Sequence, residues 1–164
     1  MNIMIVEDER NILHGMKQSL SELNGSGQVH RIYAFESAEE ALVQMHDVKP
    51  DIVVTDIVLP QQSGLDLIEQ MLRMNIKAKT VIVSGYDDFR FAQKGIKLGV
   101  TDYILKPFDK RQFQQAICAV IELIAEEEKK RRDTDSQLRL GTRTLRDKFI
   151  YGLCIQPASL QEHL

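Results

Sequence analysis

The chain reads as an α/β protein, a parallel sheet with helices on both faces, and three observations point there. Short runs that are apolar on both faces recur along its first three quarters, as the interior strands of a parallel sheet require. Amphipathic helical patterns separate them. Strand and helix alternate five times in about 125 residues, and right-handed crossovers then lay helices on both sides of one sheet.

The first strand is expected over residues 3–6. A helix follows, with Ile12, Leu13, Met16, Leu20 and Leu23 on one face. A weaker, peripheral strand fits 29–35. Ser37 and Glu40 stand in capping-box spacing and open a second helix that carries Ala41, Leu42 and Met45. The β-branched run 52–54 is the third strand, and Leu65, Ile68, Met71 and Leu72 mark the third helix. Strands at 81–83 and 103–105 bracket a helix over 88–98, and a last helix runs from Lys110. After Ile124 the texture changes. Glu126, Glu127 and Glu128 precede Lys129, Lys130, Arg131 and Arg132, giving three i,i+4 pairs worth about 0.3 kcal/mol each to a solvated helix. A second apolar stretch, Leu138, Leu140, Leu145, Phe149, Ile150 and Leu153, precedes Pro157 and needs a partner surface. The expected division is a domain over 1–124 and a helical extension over 125–164.

With 164 residues there is room for one ordinary domain and an appendage, not for two domains. The 24 acidic and 21 basic residues nearly balance, so nothing requires nucleic acid or an acidic lipid surface as direct partner. Cys118 and Cys154 lie far apart without CxxC or His-rich spacing, which argues against a disulfide framework or a zinc site. His14, His30, His46 and His163 show no ligand spacing, and Met71 fits core packing. Charge at 7–10 arrives too early for a signal peptide, and no apolar run approaches the ~18 residues of a membrane span. A soluble cytoplasmic protein is expected, with no membrane partner.

The chemistry sits at strand ends. Glu7 and Asp8 follow the first strand, Asp56 follows the third, Ser84 ends the fourth and Lys106 ends the fifth. The carboxyl ends of parallel strands share one crevice, so the five should converge. An aspartate ending one strand is usually a turn or cap residue; the joint pattern points further. Like charges this close repel unless a cation joins them, and hard oxygens without sulfur or imidazole suit Mg2+. Asp56 stands alone and is the natural nucleophile, while the adjacent Glu7 and Asp8 are placed to hold the ion. Mg2+ and Lys106 would neutralise an incoming phosphoryl group, and Ser84 could donate to one of its oxygens.

Five ordered stretches carry a family likeness: IMIVEDE at 3–9, PDIVVTDIVLP at 50–60, SGLDLI at 63–68, VIVSGYDD at 81–88 and GVTDYILKPF at 99–108. Together they resemble the receiver domains of two-component response regulators over about residues 1–124. The resemblance implies a flavodoxin-like (βα)5 doubly wound sheet of order 2-1-3-4-5 with a C-terminal helical extension. It implies Asp56 as the acceptor of a phosphoryl group from a sensor histidine kinase, in a protein that is not a conventional turnover enzyme. Asp8 becomes a Mg2+ ligand with Glu7 beside it, joined by Asp56 and the main-chain carbonyl of Val58. Ser84 and Lys106 become phosphate contacts, Ser84 and Tyr103 the switch pair, and the Lys106–Pro107 peptide is expected cis. One departure is a Glu-Asp pair in place of Asp-Asp, which would lengthen one metal contact. The stretch 84–108 also resembles receivers that precede an AraC-type DNA-binding domain. A transcription-regulating homodimer is then expected, reaching DNA only through an output domain absent from this chain. Its last helix would pair with its twin along Ile117, Ile121, Ile124, Glu128, Arg131, Asp135, Leu138, Thr142, Leu145 and Phe149, a seam apolar at both ends and charged between.

Three other readings compete. A haloacid-dehalogenase-like phosphatase needs a second acid two residues after its nucleophile, where this chain has Val58. A flavodoxin-like FMN binder needs a phosphate-cradling loop after the first strand, where the chain has Glu7, Asp8, Glu9 and Arg10. A receiver-like interaction or dimerisation module that never takes phosphate would keep the same residues.

Overall fold

The computed structural model describes residues 1–23, 31–85 and 89–154, with side chains for all of these except Phe89 and 137–154. The elements run β1 (Asn2–Val6), α1 (Arg10–Leu23), β2 (Arg31–Phe35), α2 (Ala38–Val48), β3 (Ile52–Asp56), α3 (Gly64–Arg73), β4 (Lys79–Ser84), α4 (Phe89–Lys97), β5 (Asp102–Leu105) and α5 (Lys110–Cys154). The five strands form one parallel sheet of order β2-β1-β3-β4-β5, the order the resemblance implied. Expectations for Val29, His30, Asp88, Pro157 and His163, and for the side chains of Cys154 and the apolar stretch from Leu138, fall outside the described residues.

Two compact units are distinguished, Met1–Glu122 and Leu123–Leu164. In the first, alternation along the strands divides the core. Met4, Val6 and Val53 pack with Ala38, Ala41, Met45 and Val48 of α2 and with Leu67 and Met71 of α3. By the same alternation Ile3 and Ile5 face the opposite side. Met16 and Leu20 of α1 and Phe113 and Ile117 of α5 are buried as well, and Gln114 Nε2 of α5 donates to the Ser19 carbonyl of α1 at 2.9 Å. Each such side chain removed from water contributes roughly 1.5–3 kcal/mol. β3 is buried throughout and β4 from Thr80 onward, which explains why both read as continuous apolar runs.

Caps set where the helices begin. Ser37 accepts from the Glu40 amide at the start of α2, as its spacing predicts. Ser63 and Asp66 form a complete capping box on α3 that the hydrophobic pattern did not single out. β4 starts at Lys79, two residues before the apolar run, because main-chain pairing with β3 does not require apolar side chains.

In the second unit α5 continues through the charged run, and every residue from 125 to 136 is exposed. The proposed pairing seam changes accordingly. Ile117 and Ile121 are buried within the first unit, so they cannot also serve as seam positions, and the seam from Leu138 onward lies outside the described side chains.

Candidate functional site

Register brings the polar residues to one rim. Val6 pairs with Thr55, Asp56 with Val83 and Ser84 with Leu105, so the next residues on β1 and β5, Glu7 and Lys106, complete a row along neighbouring strands. The Glu7 amide donates to the Phe35 carbonyl of β2 at 3.1 Å, and the Lys106 amide to the Ser84 carbonyl at 2.8 Å. Lys106 leaves β5 just before a cis peptide to Pro107. Its four-carbon stem reaches past β4, and Nζ lies 2.7 Å from Asp56 Oδ2 and 2.8 Å from Glu7 Oε2.

Burial gives these contacts weight. Glu7 is fully buried and Asp56 nearly so, while Asp8 is exposed at the mouth. Carboxylate oxygens of Glu7, Asp8 and Asp56 all lie within 4.8 Å of one another. Two buried carboxylates share one largely shielded ammonium and a third stands beside them, a surplus of negative charge that a cation would neutralise. Burial pushes the Glu7 carboxyl above its usual range; the Lys106 ammonium opposes this, and the Asp56 charge reinforces it. For Lys106, burial is the largest influence and acts to lower its pKa. The hydrogen bonds and charges of Asp56 and Glu7 together outweigh it and hold the ammonium above its usual range. Lys106 therefore stays protonated.

Glu7 also shows what the site can accept. Its Oε1 accepts from Lys106 Nζ at 3.1 Å and from the Glu9 amide at 3.4 Å. Its Oε2 is nearer to the ammonium but is not aligned as a hydrogen-bond acceptor, and among the described residues no other donor reaches it. A buried carboxylate oxygen with spare lone pairs, beside two further carboxylates, is a donor set that fits a hard divalent cation.

The structure thus gathers Glu7, Asp8, Asp56 and Lys106, and sets the fully buried Ser84 at the end of the intervening strand. The Val58 amide donates to Asp56 Oδ1 at 3.2 Å, so the turn after β3 folds back over the carboxylate. Tyr103 lies elsewhere. It is partly buried against Ile57, Leu65, Ile68 and Ile82. Glu9, which sequence reasoning did not assign to the site, comes within 3.8 Å of Lys106 Nζ. The available signal was its place two residues after Glu7, on the loop that leaves the same strand end. No helix among the described residues is long and apolar enough to cross a membrane.

Comparison with known proteins bears on the family and the fold. The family profile for the response regulator receiver domain matches residues 3–118. The transcriptional regulatory protein HptR of Staphylococcus aureus is 32% identical over 126 residues, 77% of this chain and 48% of that protein. The chain therefore spans about half the length of the curated relatives it matches. A CheY-like receiver domain from Methanospirillum hungatei superposes with a TM-score of 0.70 at 25% identity, covering 77% of this chain and 97% of that one. The BeF3-activated receiver domain of DrrB, from Thermotoga maritima, shares the fold with a TM-score of 0.64 at 24% identity, covering 74% and 97%. With a matched profile over most of its length and the five-stranded order in place, this chain belongs to the response regulator receiver domain family.

Proposed function

We propose that Asp56 is the phosphoacceptor and that the sheet rim is a Mg2+-dependent phosphoryl-transfer site. The observation that carries the reading is the convergence of three carboxylates whose oxygens lie within 4.8 Å of one another, with an ammonium 2.7 Å from Asp56. Asp8, Asp56 and the Val58 carbonyl would hold the ion with Glu7 beside them, and a bound Mg2+ would supply the charge neutralisation that lets a carboxylate meet a phosphoryl group. An Asp56 oxygen forms the bond to phosphorus as the bond from phosphorus to the histidine nitrogen of a sensor kinase breaks. Lys106 and Ser84 contact the transferred oxygens. Val58 stands where a turnover phosphatase has its acid, which favours a phosphoryl group that is held rather than rapidly released.

The test is incubation of the chain with Mg2+ and acetyl phosphate. A mass gain of about 80 Da is expected, absent from Asp56→Asn and reduced in Asp8→Asn. Undiminished labelling of Asp56→Asn would remove the assignment.

The phosphoryl group adds about −1.5 to −2 charge and is expected to draw Ser84 inward, letting Tyr103 turn into the vacated space. The altered surface would be that of α4, β5 and α5. An identical Tyr103 rotamer with and without phosphate refutes this. The finer biological reading is a cytoplasmic regulator with a receiver over 1–124 and a helical linker over 125–164. It acts as a homodimer on DNA through an output domain of AraC type, a reading that rests on the stretch 84–108; the matched segment is 48% of a transcriptional regulatory protein, which leaves room there for an output domain.

A further inference from the structure

The site depends on a short loop, residues 57–63, that carries the Val58 carbonyl and directly follows Asp56. Its two ends touch. The Gly64 amide donates to the Ile57 carbonyl at 2.9 Å, so the first residue of α3 closes directly onto the first residue of the loop. A Cβ on Gly64 would lie 1.9 Å from the Asp56 carbonyl oxygen and 2.7 Å from Thr55 Oγ1, well inside any tolerated contact with a backbone atom. Thr55 is fully buried, and its hydroxyl donates to that same Asp56 carbonyl at 2.9 Å. It sits two residues after Val53, so its side chain points to the face that α2 and α3 cover. Sequence reading assigned no role to either residue, since Thr55 looks like one more β-branched strand residue and Gly64 like a helix start.

We propose that Thr55 and Gly64 form a latch on the Asp56 peptide, acting as positioning residues that fix the Asp56 carboxylate and the Val58 carbonyl relative to each other. The proposal rests on the phosphoacceptor reading above. Glycine lets α3 approach the Asp56 peptide to a distance no other residue allows. The Thr55 hydroxyl then occupies the carbonyl from the strand side, in a region where water is excluded. With both contacts made, the loop that would supply a metal ligand has fixed ends before any ion arrives, which is the preorganisation a transfer site needs. The aspartate side chain is left to the Val58 amide and Lys106.

The experiment uses the full chain and three variants, Thr55→Val, Thr55→Ser and Gly64→Ala. In metal-free protein, amide exchange at Val58 and Gly64 should quicken at least about tenfold in Thr55→Val, with the β1 and β4 amides unchanged. With acetyl phosphate and Mg2+, labelling of Thr55→Val should slow about tenfold and Mg2+ should bind more weakly. Thr55→Ser, which keeps the hydroxyl, should restore both. Gly64→Ala should show the larger loss. If it fails to fold, the Thr55 pair decides alone. Wild-type exchange and labelling in Thr55→Val overturn the latch, as does a Thr55→Ser variant no better than Thr55→Val. The parent reading fails separately, by labelling of Asp56→Asn.

Discussion

The acid and lysine cluster at the rim of this receiver and the one beside α3 differ in what water does to them. At the rim, Glu7 and Asp56 hold Lys106 out of solvent. Beside α3, Asp66 meets Lys94 of α4 at 3.4 Å with both side chains about half exposed. The carboxyls move in opposite directions. Burial dominates at Glu7 and raises its pKa, whereas at Asp66 the hydrogen bond from the Ser63 hydroxyl dominates and lowers it. The same pair of residue types thus makes a strained, charge-hungry site in one place and an ordinary helix cap in the other. The difference lies in desolvation, not in the chemistry of the groups.

Removing the ammonium should give the largest effect. Lys106→Ala leaves two buried carboxylates facing each other, and a loss of about 2–4 kcal/mol at pH 7 is expected in urea unfolding without metal. Added Mg2+ should recover more stability in Lys106→Ala than in wild type, and equal recovery would argue against a cation site there. Lys106→Arg should restore stability better than labelling, since a planar guanidinium places its donors differently from an ammonium.

Acid titration sharpens the contrast, because the two carboxyls carry opposite signs. The folded pKa of Glu7 lies above its usual 4.5, so its contribution to stability is fully present below that value and lost as pH rises through the folded value. Asp66 is depressed below its usual 3.8, so its contribution is present above that value and lost as pH falls through the folded one. Chelator-treated protein unfolded in urea from pH 3 to 7 should lose stability as the pH rises above 4.5, a loss that Glu7→Gln removes. A Glu7→Gln curve parallel to wild type across that window contradicts the burial argument.

Smaller effects are expected at the exposed cluster. Ser63→Ala removes the cap and should cost about 1 kcal/mol. Lys94→Ala breaks only a solvent-screened pair, and a change below about 0.5 kcal/mol is expected. A larger loss in Lys94→Ala than in Ser63→Ala would reverse the ranking of the two interactions.

Much of this was legible in the sequence because parallel strands announce themselves. A strand buried on both faces must be apolar throughout, so β1, β3 and β4 were readable from composition alone, and the acids ending them shared an edge by topology. The long helix shows the opposite case. Ile117, Ile121 and Ile124 have seam spacing, but the spacing cannot say which surface they meet, and the first two are taken by the receiver's own core.

The sequence by itself determined the alternation of strands and helices and the set of oxygen donors and single ammonium at the strand ends. Only the tertiary structure decided that Glu7 is buried while its neighbour Asp8 is exposed, because Glu7 is held at the strand end by the Phe35 carbonyl and the Lys106 ammonium while Asp8 lies on the bend beyond. It also brought Gly64 against the Asp56 peptide, a contact between residues eight apart that arises only when α3 packs down on β3. Residue types fix which chemistry is available. Desolvation and close approach, which depend on what the chain folds against, fix which of those groups are charged, reachable and held in place.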